Sequence, residues 1–182
     1  MMKEQPLFID FEASSLNMAS YPIEVAWSME DGSIESHLIN PYAIDSWTDW
    51  EPDSQAIHGL SRKLLLKQGK QPKWLAQRMN EVLSGKVMLS NGYEFDLDWC
   101  ETLFKAGDEE MQFKLGDTWH VFGRKINTTL FVDGKKPEDR ASAIYKVLTD
   151  ISEQAWKQVE GKQHRAGTDV QQLIEMWKIV NK

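Results

Sequence analysis

Phe8-Ile9-Asp10-Phe11-Glu12 places two carboxylates one residue apart in an otherwise apolar, β-prone run. Successive side chains of a strand point to opposite faces, so Asp10 and Glu12 point to the same side. Like charges a few ångströms apart at the edge of a core repel, and burial adds to the cost unless a cation lies between them. A divalent ion that takes oxygen ligands, such as Mg2+ or Mn2+, is the simplest such cation. An isolated Asp-x-Glu also fits a strand end where one carboxylate reaches solvent and the other caps a loop, so the rest of the chain has to decide.

At 182 residues the chain suits one domain with a substantial core, spanning residues 1–182 with its packed part over about 6–180. Hydrophobic residues at 41% and charged residues at 27%, with only 11 Gly and 6 Pro, exclude disordered, collagenous and disulfide-scaffold classes. The first residues, Met1 to Pro6, carry no apolar signal core, and no apolar run approaches the roughly 20 residues of a membrane span. The expectation is a cytoplasmic protein with no membrane partner. The single Cys100 agrees with a reducing compartment and reads as a packed thiol. A net charge of -7 argues against a protein that coats nucleic acid through a broad basic face. Local clusters remain, at Arg62, Lys63, Lys67, Lys70 and Lys73 and at Arg124, Lys125, Lys135 and Lys136. Each is either solvated surface or a guide for a phosphate backbone.

Outward from the first strand, Ala13-Ser14-Ser15-Leu16-Asn17 reads as a loop leaving it beside its carboxylates. Pro22 to Met29 alternates Ile23, Val25, Trp27 and Met29 against Glu24, Ala26 and Ser28, as a strand does. Asp31-Gly32 turns the chain into a third strand over Ser33 to Asn40, predicting an antiparallel meander. Pro41 to Pro52, with Trp47 and Trp50 out of period, reads as loop with a helical turn. Gly59 ends a short helix and Ser61 caps the next. Pro72 opens a helix with Leu75, Met79 and Val82 on one stripe. Val87-Met88-Leu89 is a short buried strand, and a helix from near Glu94 buries Phe95, Trp99, Leu103 and Ala106. Phe113 to Asp117 reads as a fifth strand, followed by a loop-like stretch with Trp119, His120 and Phe122. Helical spacing then places Ala141, Ile144, Leu148, Ile151 and Ala155 on one helix from Pro137, and Ala166, Val170, Leu173 and Trp177 on the last. Three strands followed by alternating strands and helices predict an α/β architecture, one mixed five-stranded sheet flanked by helices.

Acidic residues recur where an edge-of-core site could collect them. Asp96 lies in the first turn of the helix after the fourth strand, and Asp169 shares the inward face of the last helix with Ala166 and Leu173. His164 lies five residues before Asp169, about 140 degrees around a straight helix, so it has to approach from the preceding loop. Asp98 is a nearby rival to Asp96.

In order, Phe8-Ile9-Asp10-Phe11-Glu12, Ser90-Asn91-Gly92-Tyr93-Glu94-Phe95-Asp96 and His164-Arg165-Ala166-Gly167-Thr168-Asp169 resemble the three motifs of the DEDDh subgroup of DnaQ-like 3'-5' exonucleases, in the ribonuclease H-like superfamily. Pro22-Ile23-Glu24-Val25-Ala26 and Ile57-His58-Gly59-Leu60 resemble softer features of the same family. The resemblance runs from residue 7 to about 177. One departure is Ala13-Ser14-Ser15, where family members often carry Thr-Thr-Gly.

The resemblance implies a ribonuclease H-like fold and two divalent cations, Mg2+ or Mn2+, held by Asp10, Glu12, Asp96 and Asp169. It implies His164 as the general base toward the attacking water and hydrolysis of DNA or RNA from a free 3' end, preferably single-stranded, to nucleoside 5'-monophosphates. Ala13, Ser14, Ser15, Leu16 and His58 are the expected contacts with the terminal nucleotide, and a homodimer is compatible with the family. Two other readings stay open here: a non-catalytic nucleic-acid-binding or structural subunit of the same fold, and a phosphodiesterase of short oligonucleotides.

Overall fold

A computed structural model describes residues 5–132 and 136–181; Met1 to Glu4, Lys135 of the second basic cluster, and Lys182 lie outside them. The chain runs β1 (Leu7–Ala13), β2 (Pro22–Ser28), β3 (Ile34–Leu38), a 3-10 turn at Pro41–Ala43, α1 (Pro52–His58), α2 (Arg62–Gln68), α3 (Pro72–Leu83), β4 (Val87–Ser90), α4 (Tyr93–Gly107), β5 (Lys114–Asp117), α5 (Thr118–Val132), α6 (Pro137–Trp156) and α7 (Ala166–Val180). The sheet order is β3-β2-β1-β4-β5. β1, β2 and β3 form the antiparallel meander, and β4 and β5 join parallel to β1. This is the ribonuclease H-like α/β sheet that the motifs imply.

Both faces of the sheet are covered, and the side-chain period of two divides β1 between them. Ile9 and Phe11 pack with Leu75, Met79, Trp99 and Leu103 of α3 and α4. Phe8 packs with Phe122, Ile151, Val170 and Leu173 of α5, α6 and α7. Asp10 and Glu12, in step with Phe8, therefore face the α7 side at the carboxyl end of the central strand. The same division explains β2, where the expected polar face is buried as completely as the apolar one. Ile23, Val25 and Trp27 meet one helical layer, while Ala26 meets the other.

Local signals fix the helix ends that position the site. Gly59 closes α1 with φ 77, a left-handed conformation open to glycine. The Ser61 side chain accepts from the Leu64 amide and opens α2. Four expectations change. The stretch with Trp119, His120 and Phe122 is helix α5, not loop, because the Asp117 side chain accepts from the Trp119 amide at 2.7 Å and caps it. Phe95 is 50% exposed rather than in the core, because it turns to the cavity mouth beside Asp96. Ala141 is exposed because α6 packs through its later turns, and Val87 is exposed at the start of β4.

Candidate active site

Three elements deliver four carboxylates to one place. β1 supplies Asp10 and Glu12. Only Asn91 and Gly92 separate β4 from α4; the Asp96 amide bonds the Gly92 carbonyl at 2.9 Å and its side chain turns inward, 2% exposed. The Ser90 hydroxyl donates to the Asp96 carboxylate, while Asp98, two residues on, is exposed. Asp169 sits half-buried in the first turn of α7. His164 lies in the preceding loop with φ 61, and its backbone N–H donates to Asp169 Oδ1 at 3.4 Å. That left-handed backbone is what brings a residue outside the helix to the site; Glu12, His164 and Asp169 each offer a ligand atom, all within 4.8 Å of one another.

Convergence leaves an electrostatic signature. Burial, and then Asp96, Asp169, Glu12 and Glu24, hold the Asp10 carboxyl well above the usual carboxylate range. Burial first, with Asp169, Glu24 and Asp96 behind it, pushes Glu12 up to about 8. Burial raises Asp96 to about 7 although the Ser90 hydroxyl and the Phe11 amide hold it down, and burial raises Asp169 to about 6. Protonation or a cation relieves such a cluster. The donor set, carboxylate oxygens with one imidazole, fits a hard divalent ion.

The cluster lines a cavity of about 450 Å3 together with Leu16, Ile57, Phe95, Trp156, Gln163 and Gln172. Leu16 is 71% exposed. Ala13, Ser15 and His58 line the cavity, but Ser14 does not. The Ser14 hydroxyl donates to Asp49 Oδ2 at 2.9 Å and accepts from the Tyr21 amide. The Ser15 hydroxyl donates to the same oxygen at 2.6 Å. Asp49 thus holds the loop after β1. His58 is buried, and its Nδ1 accepts from the Leu60 amide at 2.9 Å. The ring proton is therefore on Nε2, which has no partner among the described residues. Burial pulls this histidine down to about 4, so it is a neutral donor.

Glu24 and Arg165 escaped the sequence reading as a pair. Glu24 lies opposite Glu12 in the β1–β2 ladder and is 2% exposed. It accepts from Arg165 Nε at 3.0 Å, Arg165 Nη2 at 2.7 Å and the Ala166 amide at 3.1 Å. This fixes the start of α7 against the sheet, between His164 and Asp169. The one available signal was an acid in the interior of an otherwise apolar strand.

No protein-family model matches the chain, and no curated protein matches it in sequence. Solved structures do match in fold. Product-bound exonuclease I matches with TM-score 0.53 at 18% identity, over 64% of this chain and 30% of that one. The zinc-bound complex of E. coli exonuclease I with single-stranded DNA gives 0.52 at 18% identity, over 64% and 28%. E. coli exonuclease I with a dA16 oligonucleotide gives 0.51 at 17% identity, over 64% and 28%. The matched region thus spans less than a third of the exonuclease I chains. The chain has the ribonuclease H-like fold found in exonuclease I, and the likeness to DnaQ-like 3'-5' exonucleases read from its motifs holds at the level of that fold.

Proposed function

We propose that the chain is a metal-dependent 3'-5' exonuclease that hydrolyses phosphodiester bonds at the 3' end of single-stranded DNA or RNA and releases nucleoside 5'-monophosphates. The observation that carries this reading is the meeting of Asp10, Glu12, Asp96 and Asp169, from three elements, in one cavity with His164 at its edge. Two divalent cations, Mg2+ or Mn2+, held by the four carboxylates would supply the positive charge that makes their ionised forms compatible and the Lewis acidity that phosphodiester hydrolysis needs.

The protein's own groups do the rest. His164, exposed and next to Glu12 and Asp169, takes the proton of the attacking water, a role suited to imidazole near neutral pH. Ser90 orients Asp96 through its hydroxyl. Leu16, Ile57 and Phe95 offer apolar surface to the terminal base, and Leu16 is the wedge. His58, whose Nε2–H is buried, shapes the cavity wall, while Ala13 contributes backbone. Ser14 and Ser15 contribute by holding this loop to Asp49. A terminus that is already unpaired enters most easily, since a stacked, paired end has first to be opened. The protein is proposed to work in the cytoplasm without a membrane partner; no helix among the described residues is long and apolar enough to cross one.

The test is direct. Wild type and Asp10→Ala are incubated with 5'-labelled single-stranded DNA and RNA in Mg2+ or Mn2+, and products are resolved by length. The reading expects a ladder shortening from the 3' end, absent in chelator and in the variant; intact strands under both metals overturn it.

A further inference from the structure

From Ser54 to Asn80 the chain holds six cationic side chains, Arg62, Lys63, Lys67, Lys70, Lys73 and Arg78, and no Asp or Glu. The remaining 15 of its 21 Lys and Arg face all 28 Asp and Glu. Charge is therefore segregated, and the basic segment starts at the cavity wall, where Ser54, Ile57 and His58 of α1 line it. Lys63, Lys67, Lys70 and Lys73 are exposed. Glu35 and Glu81 hold Arg78; among the described residues the other five enter no ion pair.

Aromatic side chains are interleaved with these charges. Trp50 meets His58 edge-on at 6.1 Å. The Arg62 guanidinium lies 5.5 Å from the Trp50 ring centre and 5.3 Å from that of Tyr42, which is 50% exposed. Beyond α2, the backbone at Lys70 bridges Ile39 past the end of β3, and its ammonium lies 5.1 Å from the centre of the Trp74 ring, 43% exposed. From the cavity, these charges and rings run through α2 to the start of α3.

We infer that this strip carries the single-stranded nucleic acid upstream of the 3' end, an inference that rests on the exonuclease reading. A cavity of about 450 Å3 is of the size that takes a drug-sized ligand, so a longer strand has to leave it across the surface. A polyanion approaching four carboxylates on a protein of net charge -7 is repelled unless a local positive field guides it. Lysines that are not neutralised by acids supply that field through phosphate contacts. Tyr42 and Trp74 supply faces on which bases stack without regard to sequence.

The test uses Lys63→Gln/Lys67→Gln/Lys70→Gln in the full chain. The control is Lys86→Gln/Lys105→Gln/Lys114→Gln, at the end of the sheet away from the cavity. Binding of a labelled single strand of about 12 nucleotides is measured in chelator, against salt, by anisotropy. Each lost phosphate contact lowers the log-log salt slope by about 0.7, so the strip variant is expected to lose about 2 from the slope and the control nothing. Hydrolysis of the same strand and of a dinucleotide is measured in Mg2+, with KM raised at least about tenfold for the strand and unchanged for the dinucleotide. An unchanged slope, or a loss shared equally by both variants, overturns the strip and leaves an acidic protein segment as its occupant. A reduced slope in a protein that cleaves neither substrate keeps the strip and refutes the exonuclease. Cleavage of both with equal KM in the strip variant and wild type keeps the exonuclease and refutes the strip.

Discussion

Arg165 grips Glu24 through two parallel hydrogen bonds, Nε to Oε2 at 3.0 Å and Nη2 to Oε1 at 2.7 Å, across 141 residues of sequence. The pair joins the second strand to the residue between His164 and the first turn of α7. Glu24 is almost fully buried and Arg165 about a third exposed. Breaking a buried pair leaves one charge uncompensated and costs about 3–5 kcal/mol, less where one partner reaches water. Glu24→Gln is expected to cost about 2 kcal/mol in urea unfolding and to lower kcat by displacing His164 and Asp169. Glu24→Gln/Arg165→Gln should regain part of the stability; a double variant as weak as the sum of the two singles would deny the coupling.

Asp10→Asn removes one of four crowded carboxylates. Turnover should be lost, yet the protein in chelator should melt higher than wild type at pH 8, by about 2–4 °C for each kcal/mol of repulsion relieved. A lower melting temperature would mean that Asp10 is held by attractive contacts instead.

Three of the carboxylates have raised values, about 8 for Glu12, about 7 for Asp96 and about 6 for Asp169, against ordinary values near 4. Between about pH 4 and 8 the folded protein then binds more protons than the unfolded chain, so stability falls as pH rises through that window. Urea midpoints in chelator should decline from pH 5 to 8. Mg2+ at about 100 times its Kd should return about 2.7 kcal/mol at the alkaline end, and a flat midpoint in chelator would contradict the crowding.

His164→Ala should slow hydrolysis by roughly 100-fold or more, as loss of a general base does. Mg2+ binding, followed by the shift in melting temperature, should survive. If metal affinity falls in step with rate, His164 is a ligand and not the base.

Leu16 stands 71% exposed and lines the cavity. Removing about 1–2 kcal/mol of apolar contact with a base should raise KM roughly 5–30-fold in Leu16→Ala and leave kcat within about twofold. Steady-state kinetics on a short single strand decide this, and an unchanged KM would move the base elsewhere in the cavity.

Much of the fold was legible because local rules govern it. Asp31-Gly32 marks the hairpin between β2 and β3, Gly59 and Ser61 punctuate α1 and α2, and the four-residue step from Asp169 to Leu173 sets the face of α7. Asp10 and Glu12 had to share a side of β1 because a strand has period two. The preference for Asp96 over Asp98 followed from the resemblance, whose motif has apolar flanks that Phe95 and Trp99 match; Asp96 is buried and Asp98 exposed.

The sequence by itself thus determined most of the elements, the order of the sheet's first strands and the acids on inward faces. Only the tertiary structure decided what meets what. Helix α5 was hidden because aromatic residues at Trp119 and Phe122 gave no clear period, and Phe95 left the core because the turn of α4 that buries Asp96 sets it outward. Ser14 and Ser15 looked free until Asp49, more than 30 residues on, claimed both hydroxyls. Glu24 and Arg165 leave no periodic trace, since a contact between distant residues depends on strand register and helix docking. Local propensity follows from neighbours in sequence, whereas a site gathered from β1, α4 and α7 exists once their packing has brought them together.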